Sequence, residues 1–321
     1  MRDLKVQFFT YGGVVQALDG VTFQVKKGET LGLVGETGCG KSVTSLAVLR
    51  LVPAPGRIVA GEIKLNGENL LTKTEGEMRN LRGCAVAMIF QDPTSSLNPL
   101  FTVGYQTSEP FIYHRNMKKE DAHKAVVELF ESMQIPDAER RARNYPHELS
   151  GGMRQRIMIA MALACNPSLL IADEPTTNLD VTIQAQLLEL VKELQKKYDT
   201  SILWISHNLG VVAEMCDRVA VMYAGNIVEI GDVKTVLCEP AHPYTRMLRE
   251  CVPTTSQKKG ELTVIHGTVP NLINPPSGCR FHPRCREPLD ICSKEKPAMV
   301  ELERGHFISC WKYTQKGCSE K

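Results

Sequence analysis

Gly35 to Ser42 reads GETGCGKS, which spaces two glycines, a lysine and a serine as G-x-x-x-x-G-K-S. In such a run the glycines let main-chain N–H groups converge on phosphate, and the helix that follows adds its positive dipole end. Gly35, Gly38, Cys39, Gly40, Lys41, Ser42 and Val43 form the candidate cradle. Lys41 is suited to reach the β- and γ-phosphates and the Ser42 hydroxyl to ligate Mg²⁺. A second constellation is LLIADE, Leu169 to Glu174, an apolar run ending in two carboxylates. Asp173 fits a Mg²⁺-linked aspartate at the end of a buried strand, and Glu174 is placed to polarise an attacking water. Alone, two acids after a strand serve equally well as a helix cap. Alongside the phosphate loop they read as hydrolytic groups.

A third constellation lies in the tail, where Cys279, Cys285, Cys292 and Cys310 are separated by 5, 6 and 17 residues. They fall where apolar periodicity is sparse, and a module of about 70 residues with little core needs a staple. A metal held by four thiolates supplies one. Zinc and a [4Fe–4S] cluster both accept that donor set, and the spacing decides for neither. The bland alternative is four small buried hydrophobes.

The elements that must position these groups alternate strand and helix. TLGLVG is a buried strand feeding the loop at Gly35, and the helix from Lys41 stops before Pro53 and Pro55. GEIKLNGENL alternates like a hairpin strand, and CAVAMIF is a short buried strand ending at Gln91. KEDAHKAVVELFESM is amphipathic, and GGMRQRIMIAMALA is a second helix. SLLIADEP, SILWISH and RVAVMYAG are further buried strands, with TIQAQLLELVKELQKKY as a crossover helix between the first two. This order predicts a mainly parallel α/β sheet.

Hydrophobic residues make up 43% of the 321, enough for a sizeable core. A formal net charge of +2 gives no reason to expect nucleic acid. The charge is uneven: residues 251–321 hold 11 Lys and Arg against 7 Asp and Glu, so the tail is a basic unit. The start, MRDLKVQFF, lacks the apolar stretch of a signal peptide. The longest apolar run, IMIAMALAC, falls short of the roughly 20 residues a membrane span needs. A cytosolic setting is therefore expected, and there eleven cysteines argue for thiols or metal ligands over disulfides.

ELSGGMRQR, Glu148 to Arg156, resembles the signature motif of the ATP-binding cassette (ABC) ATPases, with Met153 where LSGGQ has glutamine. The resemblance implies that Ser150, Gly151 and Gly152 cap the ATP held by another subunit's phosphate loop. It also implies that Gln91 in AMIFQDP senses Mg²⁺ and the membrane partner, that Asp180 in TNLD ends the D-loop, and that His207 in WISHN is the switch histidine. Tyr11, 30 residues before Lys41, resembles the aromatic that stacks on adenine. PAHPYTRMLRECVP followed by GTVPNLINPPSGCRFHPRC is similar to the C-terminal extension of oligopeptide, dipeptide and nickel permease ATPases.

The resemblance implies a two-lobed α/β cassette over 1–250 with a small antiparallel sheet. Its RecA-like lobe would take 1–95 and 151–250, its helical lobe about 96–150, and an irregular Cys-rich extension 251–321. It implies ATP, Mg²⁺ bound through Ser42, Gln91 and Asp173, catalysis by Glu174 with Gln91 and His207, and a [4Fe–4S] cluster on the four tail cysteines. The implied partners are two transmembrane permease subunits, a paralogous ATPase or a second copy, and indirectly an extracellular binding protein. The place of work is the cytoplasmic face of the membrane. Cargo is a dipeptide or oligopeptide, with a nickel complex as the alternative. The rival class, a soluble ABC ATPase acting on nucleic acid, ribosomes or cofactor assembly, usually has two cassettes or a long coiled coil. Here there is one cassette, and Ser150 follows Lys41 by only 109 positions.

Overall fold

A computed structural model of the chain describes residues 1–92, 96–177, 179–252 and 265–314. They form two compact units, one of Met1–Gln24, Leu31–Thr72 and Ile205–Lys321, the other of Val25–Thr30 and Lys73–Trp204.

The first unit opens with β1 (Arg2–Thr10) and β2 (Gly13–Val21), an antiparallel hairpin. Next come β3 (Thr30–Val34), α1 (Lys41–Val48), and β4 (Gly56–Glu62), which pairs with the other edge of β1. The result is a three-stranded antiparallel sheet in the order β2-β1-β4. The segment read as one alternating strand is instead a small hairpin, β5 (Lys64–Leu65) and β6 (Glu68–Asn69). Asn66 and Gly67, both at positive φ, make its turn.

The second unit holds α2 (Glu75–Leu81), β7 (Val86–Ile89), α3 (Val103–Arg115), α4 (Lys119–Ser132), α5 (Ala138–Ala142), α6 (Gly151–Leu163), β8 (Leu169–Asp173), α7 (Val181–Tyr198) and most of β9 (Ser201–Ile205). The strand order is β7-β8-β9, with β7 and β8 parallel. In α4 the buried positions are Ala122, Val126, Leu129 and Phe130, one stripe at helical period. At Gly104 of α3 a Cβ would lie 2.5 Å from the Ala142 carbonyl oxygen, so glycine lets α3 and α5 approach closely.

The chain returns to the first unit with α8 (Leu209–Met215), β10 (Arg218–Tyr223), β11 (Asn226–Asp232), α9 (Val233–Cys238) and α10 (Pro243–Glu250). The tail adds β12 (Val300–Glu303) and β13 (His306–Ile308). Within this unit the strands run β3-β10-β11-β13-β12; β3 and β10 are parallel and the other pairs antiparallel. The core strands β3 and β10 are buried on both faces, as their unbroken apolar runs require. β1, β4, β11 and the two tail strands have no counterpart of their own in the sequence reading. Part of the 251–321 extension, residues 253–264 and 315–321, lies outside the described residues.

Candidate functional site

The candidate residues divide between the two units. In the first, β3 delivers the chain to Gly35, whose φ of 153° and whose surroundings both require glycine. A Cβ there would lie 2.2 Å from the Met222 carbonyl oxygen. Gly38 and Gly40 have φ of 81° and 112°, the left-handed conformations that bend the loop over the start of α1. A Cβ at Gly38 would meet nothing within 4 Å, so that side of the loop is open. α1 starts at Lys41 with Gly40 as its N-cap and no side-chain capping bond, so its first N–H groups are offered without a competing acceptor from the cap. Lys41 is only 7% exposed, and its Nζ donates to the carbonyls of Gly35 at 2.8 Å and Glu36 at 3.1 Å. Ser42 is exposed and Val43 half-buried. Burial pushes the Cys39 thiol up, with Lys41 pulling the other way.

His207 is exposed on the loop after β9. Its neighbours fix that loop: Ser206 N–H donates to the Leu33 carbonyl at 3.3 Å, and Asn208 N–H donates to Ser206 Oγ at 3.0 Å. Tyr11 sits fully exposed at the tip of the β1–β2 hairpin, between the paired Thr10 and Gly13. The nearby rings are engaged elsewhere. Phe8 lies against Gly56, and the Arg57 guanidinium stands 5.6 Å over the Phe9 ring. Of the three, Tyr11 has the ring free to stack.

In the second unit, parallel pairing of Ile89 with Ala172 brings the two strand ends level. Gln91 Nε2 therefore donates to Glu174 Oε2 at 2.9 Å, and Thr177 Oγ1 donates to the same oxygen at 3.2 Å. Glu174 stands at φ 48°, a left-handed conformation uncommon for a side chain of this size. Asp173, one residue earlier, is buried at the end of β8. The signature segment opens α6: Ser150 is the N-cap, and its Oγ accepts from Met153 N–H at 3.3 Å. A Cβ on Gly151 would meet nothing within 4 Å, while one on Gly152 would come 3.1 Å from Ile183. Asp180 caps α7 by accepting from Ile183 N–H at 2.9 Å. Both polar side chains hold helix starts and expose the backbone beside them.

The tail cysteines lie in the first unit. Burial raises Cys279 to about 11, with Cys292 and Cys285 adding to it. Cys285 is raised to about 11 by burial and then Cys292, and Cys310 to about 12 by burial with the other three contributing. Cys292 thus acts on all three of the others. Yet among the described residues no group of three or more His, Cys, Asp or Glu side chains is set to hold a metal ion. The expected four-thiolate site is therefore not seen among the described residues. Cys292 sits with Ile291 and Trp311, against which Cys279 packs, while Cys310 belongs to a separate cluster with Ala241 and Ile308. The tail arginines, too, are committed elsewhere: Arg280 to Gln16 and Ala224, Arg284 to Glu36, and Arg286 to Glu250.

The sequence reading missed the groups that brace the phosphate loop. Glu36 N–H donates to Tyr244 Oη at 2.9 Å, and the Glu36 carboxylate takes two bonds from Arg284 at 2.7 and 3.0 Å. Their separations of 208 and 248 residues leave no local signal.

Comparison with known proteins places the chain in a family. Residues 18–177 match the family described as ABC transporter, and residues 228–292 match that described as Oligopeptide/dipeptide transporter, C-terminal region. The oligopeptide transport ATP-binding protein OppD of Bacillus subtilis (strain 168) is 53% identical over 313 residues, covering 97% of this chain and 87% of that protein. The dipeptide transport ATP-binding protein DppD of the same organism is 49% identical, covering 98% and 95%. Among solved structures, the dimeric bacterial ABC transporter cassette MJ0796 superposes with a TM-score of 0.64 at 25% identity, covering 72% of this chain and 97% of that one. The fold is the mixed α/β fold of ABC ATPases. With such identity over nearly its whole length, the chain belongs to the family of ABC transporter ATP-binding subunits that carry the oligopeptide/dipeptide transporter C-terminal region.

Proposed function

We propose that the chain binds and hydrolyses ATP to power import of dipeptides or oligopeptides through a membrane transporter. The observation that carries the reading is one chain holding both a braced phosphate loop and an oligopeptide-type C-terminal region, with 53% identity to OppD. In this reading Lys41 and the N–H groups from Gly38 to Val43 bind the phosphates, and the exposed Tyr11 ring stacks on adenine. Glu174, held by Gln91 and Thr177, orients the attacking water and takes its proton, and His207 contacts the γ-phosphate. Ser42, Gln91 and Asp173 offer the hard oxygen donors that suit Mg²⁺, which neutralises phosphate charge when bound. Ser150, Gly151, Gly152 and Asp180 serve the phosphate loop of an opposing cassette, either a paralogue or a second copy.

The working complex then sets this chain against the cytoplasmic face of two transmembrane permease subunits, which an extracellular binding protein supplies with substrate. No helix of the described residues is long and apolar enough to cross a membrane, so permeation itself falls to those partners. The test is uptake of labelled di- and oligopeptides by vesicles carrying the cognate permeases, binding protein and this chain. ATP-dependent peptide uptake, lost with Lys41→Ala, is expected. Uptake of a nickel complex but no peptide would reassign the cargo. Co-purification with ribosomes or DNA in place of permeases would defeat the importer reading.

A finer part of the proposal concerns the tail. Cys279, Cys285, Cys292 and Cys310 are four free thiols in one short segment of the tail, a donor set that iron or zinc accepts. We assign them to a [4Fe–4S] cluster, with zinc as the alternative. Anaerobically purified protein should be brown, with about four iron and four sulfide per chain. Colourless protein with one zinc replaces the cluster by zinc, and metal-free protein leaves the thiols as packing groups.

A further inference from the structure

Arg284 spends all of its polar groups on one junction in the first unit. Its Nη1 and Nη2 grip the two carboxylate oxygens of Glu36 at 2.7 and 3.0 Å, a two-pronged charge-assisted pair. Nε donates to the His266 carbonyl at 2.9 Å, Nη2 also to the Gly267 carbonyl at 3.2 Å, and Nη1 also to Tyr223 Oη at 3.3 Å. The guanidinium stands 5.7 Å over the Tyr223 ring, and its side chain is only 8% exposed. Glu36, one residue after Gly35, is fixed at every polar group: its N–H by Tyr244, its carboxylate by Arg284, and its carbonyl by Lys41 Nζ. The same tail segment grips the β1–β2 hairpin, for Gln16 N–H donates to the Leu272 carbonyl at 2.8 Å and Arg280 donates to Gln16.

We propose that Arg284 is a positioning residue for nucleotide binding: its fork on Glu36 holds the phosphate loop pre-organised, so the C-terminal segment sets how tightly the loop binds nucleotide. A loop with glycines at 35, 38 and 40 has much conformational entropy to lose when it wraps phosphate. Fixing Glu36 beforehand removes part of that cost. The pair also neutralises a carboxylate beside a site meant for an anion. Arg284 acts through Glu36 of the loop, so it acts on affinity for any nucleotide whose β-phosphate the loop holds.

The inference rests on the phosphate-loop reading above, and Lys41→Ala separates the two. Calorimetric titration of the full chain with MgATP, MgADP and AMP, beside thermal midpoints without nucleotide, tests it. Arg284→Ala should weaken MgATP and MgADP in parallel by about tenfold, the size of a lost charge-assisted pair. Arg284→Lys should fall between, since it restores charge without the fork. Glu36→Gln should weaken binding similarly, and the double variant should be no weaker than either single. AMP binding should not change. A lower thermal midpoint with MgATP and MgADP affinities within twofold of wild type would overturn the proposal, as would losses that multiply in the double variant. If Arg284→Ala does not fold, unchanged affinity in Glu36→Gln overturns it from the other end of the pair. Unchanged affinity in Lys41→Ala instead defeats the phosphate-loop reading, and Arg284's role with it.

Discussion

Glu174 and Lys41 should separate chemistry from binding when changed one at a time. Glu174→Gln keeps the shape that Gln91 and Thr177 hold but removes the acceptor for a water's proton. Losing a general base costs about 10²–10⁴-fold in rate, so turnover should nearly vanish while nucleotide binding persists. ATP binding and phosphate release measured on one sample decide this, and hydrolysis within tenfold of wild type would remove Glu174 from the role. Lys41→Ala should instead weaken binding itself, because its charge faces ground-state phosphate. At this scale the sequence names its candidates wherever close spacing marks them. GETGCGKS and LLIADE each hold their candidate groups within eight residues. It was silent on Glu36–Arg284, where the pairing is made by the fold across 248 residues and neither residue type stands out.

His242 shows at the level of elements what the tail does for the first unit. It is fully buried as the N-cap of α10, with Nδ1 accepting from Tyr244 N–H at 3.0 Å, so the cap requires an unprotonated nitrogen. Burial, then Arg246, lowers it from 6.5 to about 3. The other titratable groups around it are Glu229, whose carboxylate accepts from His242 N–H at 3.0 Å, and His306, which lies 2.9 Å from the same carboxylate. Below pH 6.5 the unfolded chain takes up a proton that the native imidazole refuses, so stability falls as pH drops from 6.5 toward 3. By pH 5 the loss is about 2 kcal/mol. Thermal midpoints at pH 7 and pH 5 should converge in His242→Asn, which keeps a capping acceptor without titrating. Equal pH dependence in variant and wild type would assign the acid sensitivity elsewhere. The network also explains why β12 and β13 were not foreseen. β13 is three residues long and is specified by partners, Glu229 of β11 on His306 and Ile308 in the Ala241 cluster, and not by alternation of its own. Long elements with a clear period, such as α4 and α7, were plain in the sequence because their own residues set which face is buried, and β8 because its apolar run is unbroken.

At the scale of the whole molecule, the groups that α6 and α7 present at their starts bear on how many chains make a working site. Ser150 and Asp180 cap their helices, and a side chain on Gly151 would meet nothing within 4 Å, so the N-terminal backbone of α6 stands clear for a ligand from outside. In the proposed arrangement that ligand is nucleotide held by another cassette's phosphate loop. Two-fold pairing then repeats the composite site twice, since a symmetric interface offers the same two surfaces in exchange. A site shared between chains exists only as far as the chains associate, so its activity follows mass action. Hydrolysis by the isolated chain should rise more steeply than linearly with protein concentration, or should appear only when the paralogous subunit is added. Ser150→Ala in half of a mixed population should lower activity by removing one contact per affected site, while leaving nucleotide binding to the other chain's loop largely in place. Specific activity that is high and independent of concentration, in protein shown by sedimentation to stay monomeric, would refute the shared site and leave each chain self-sufficient.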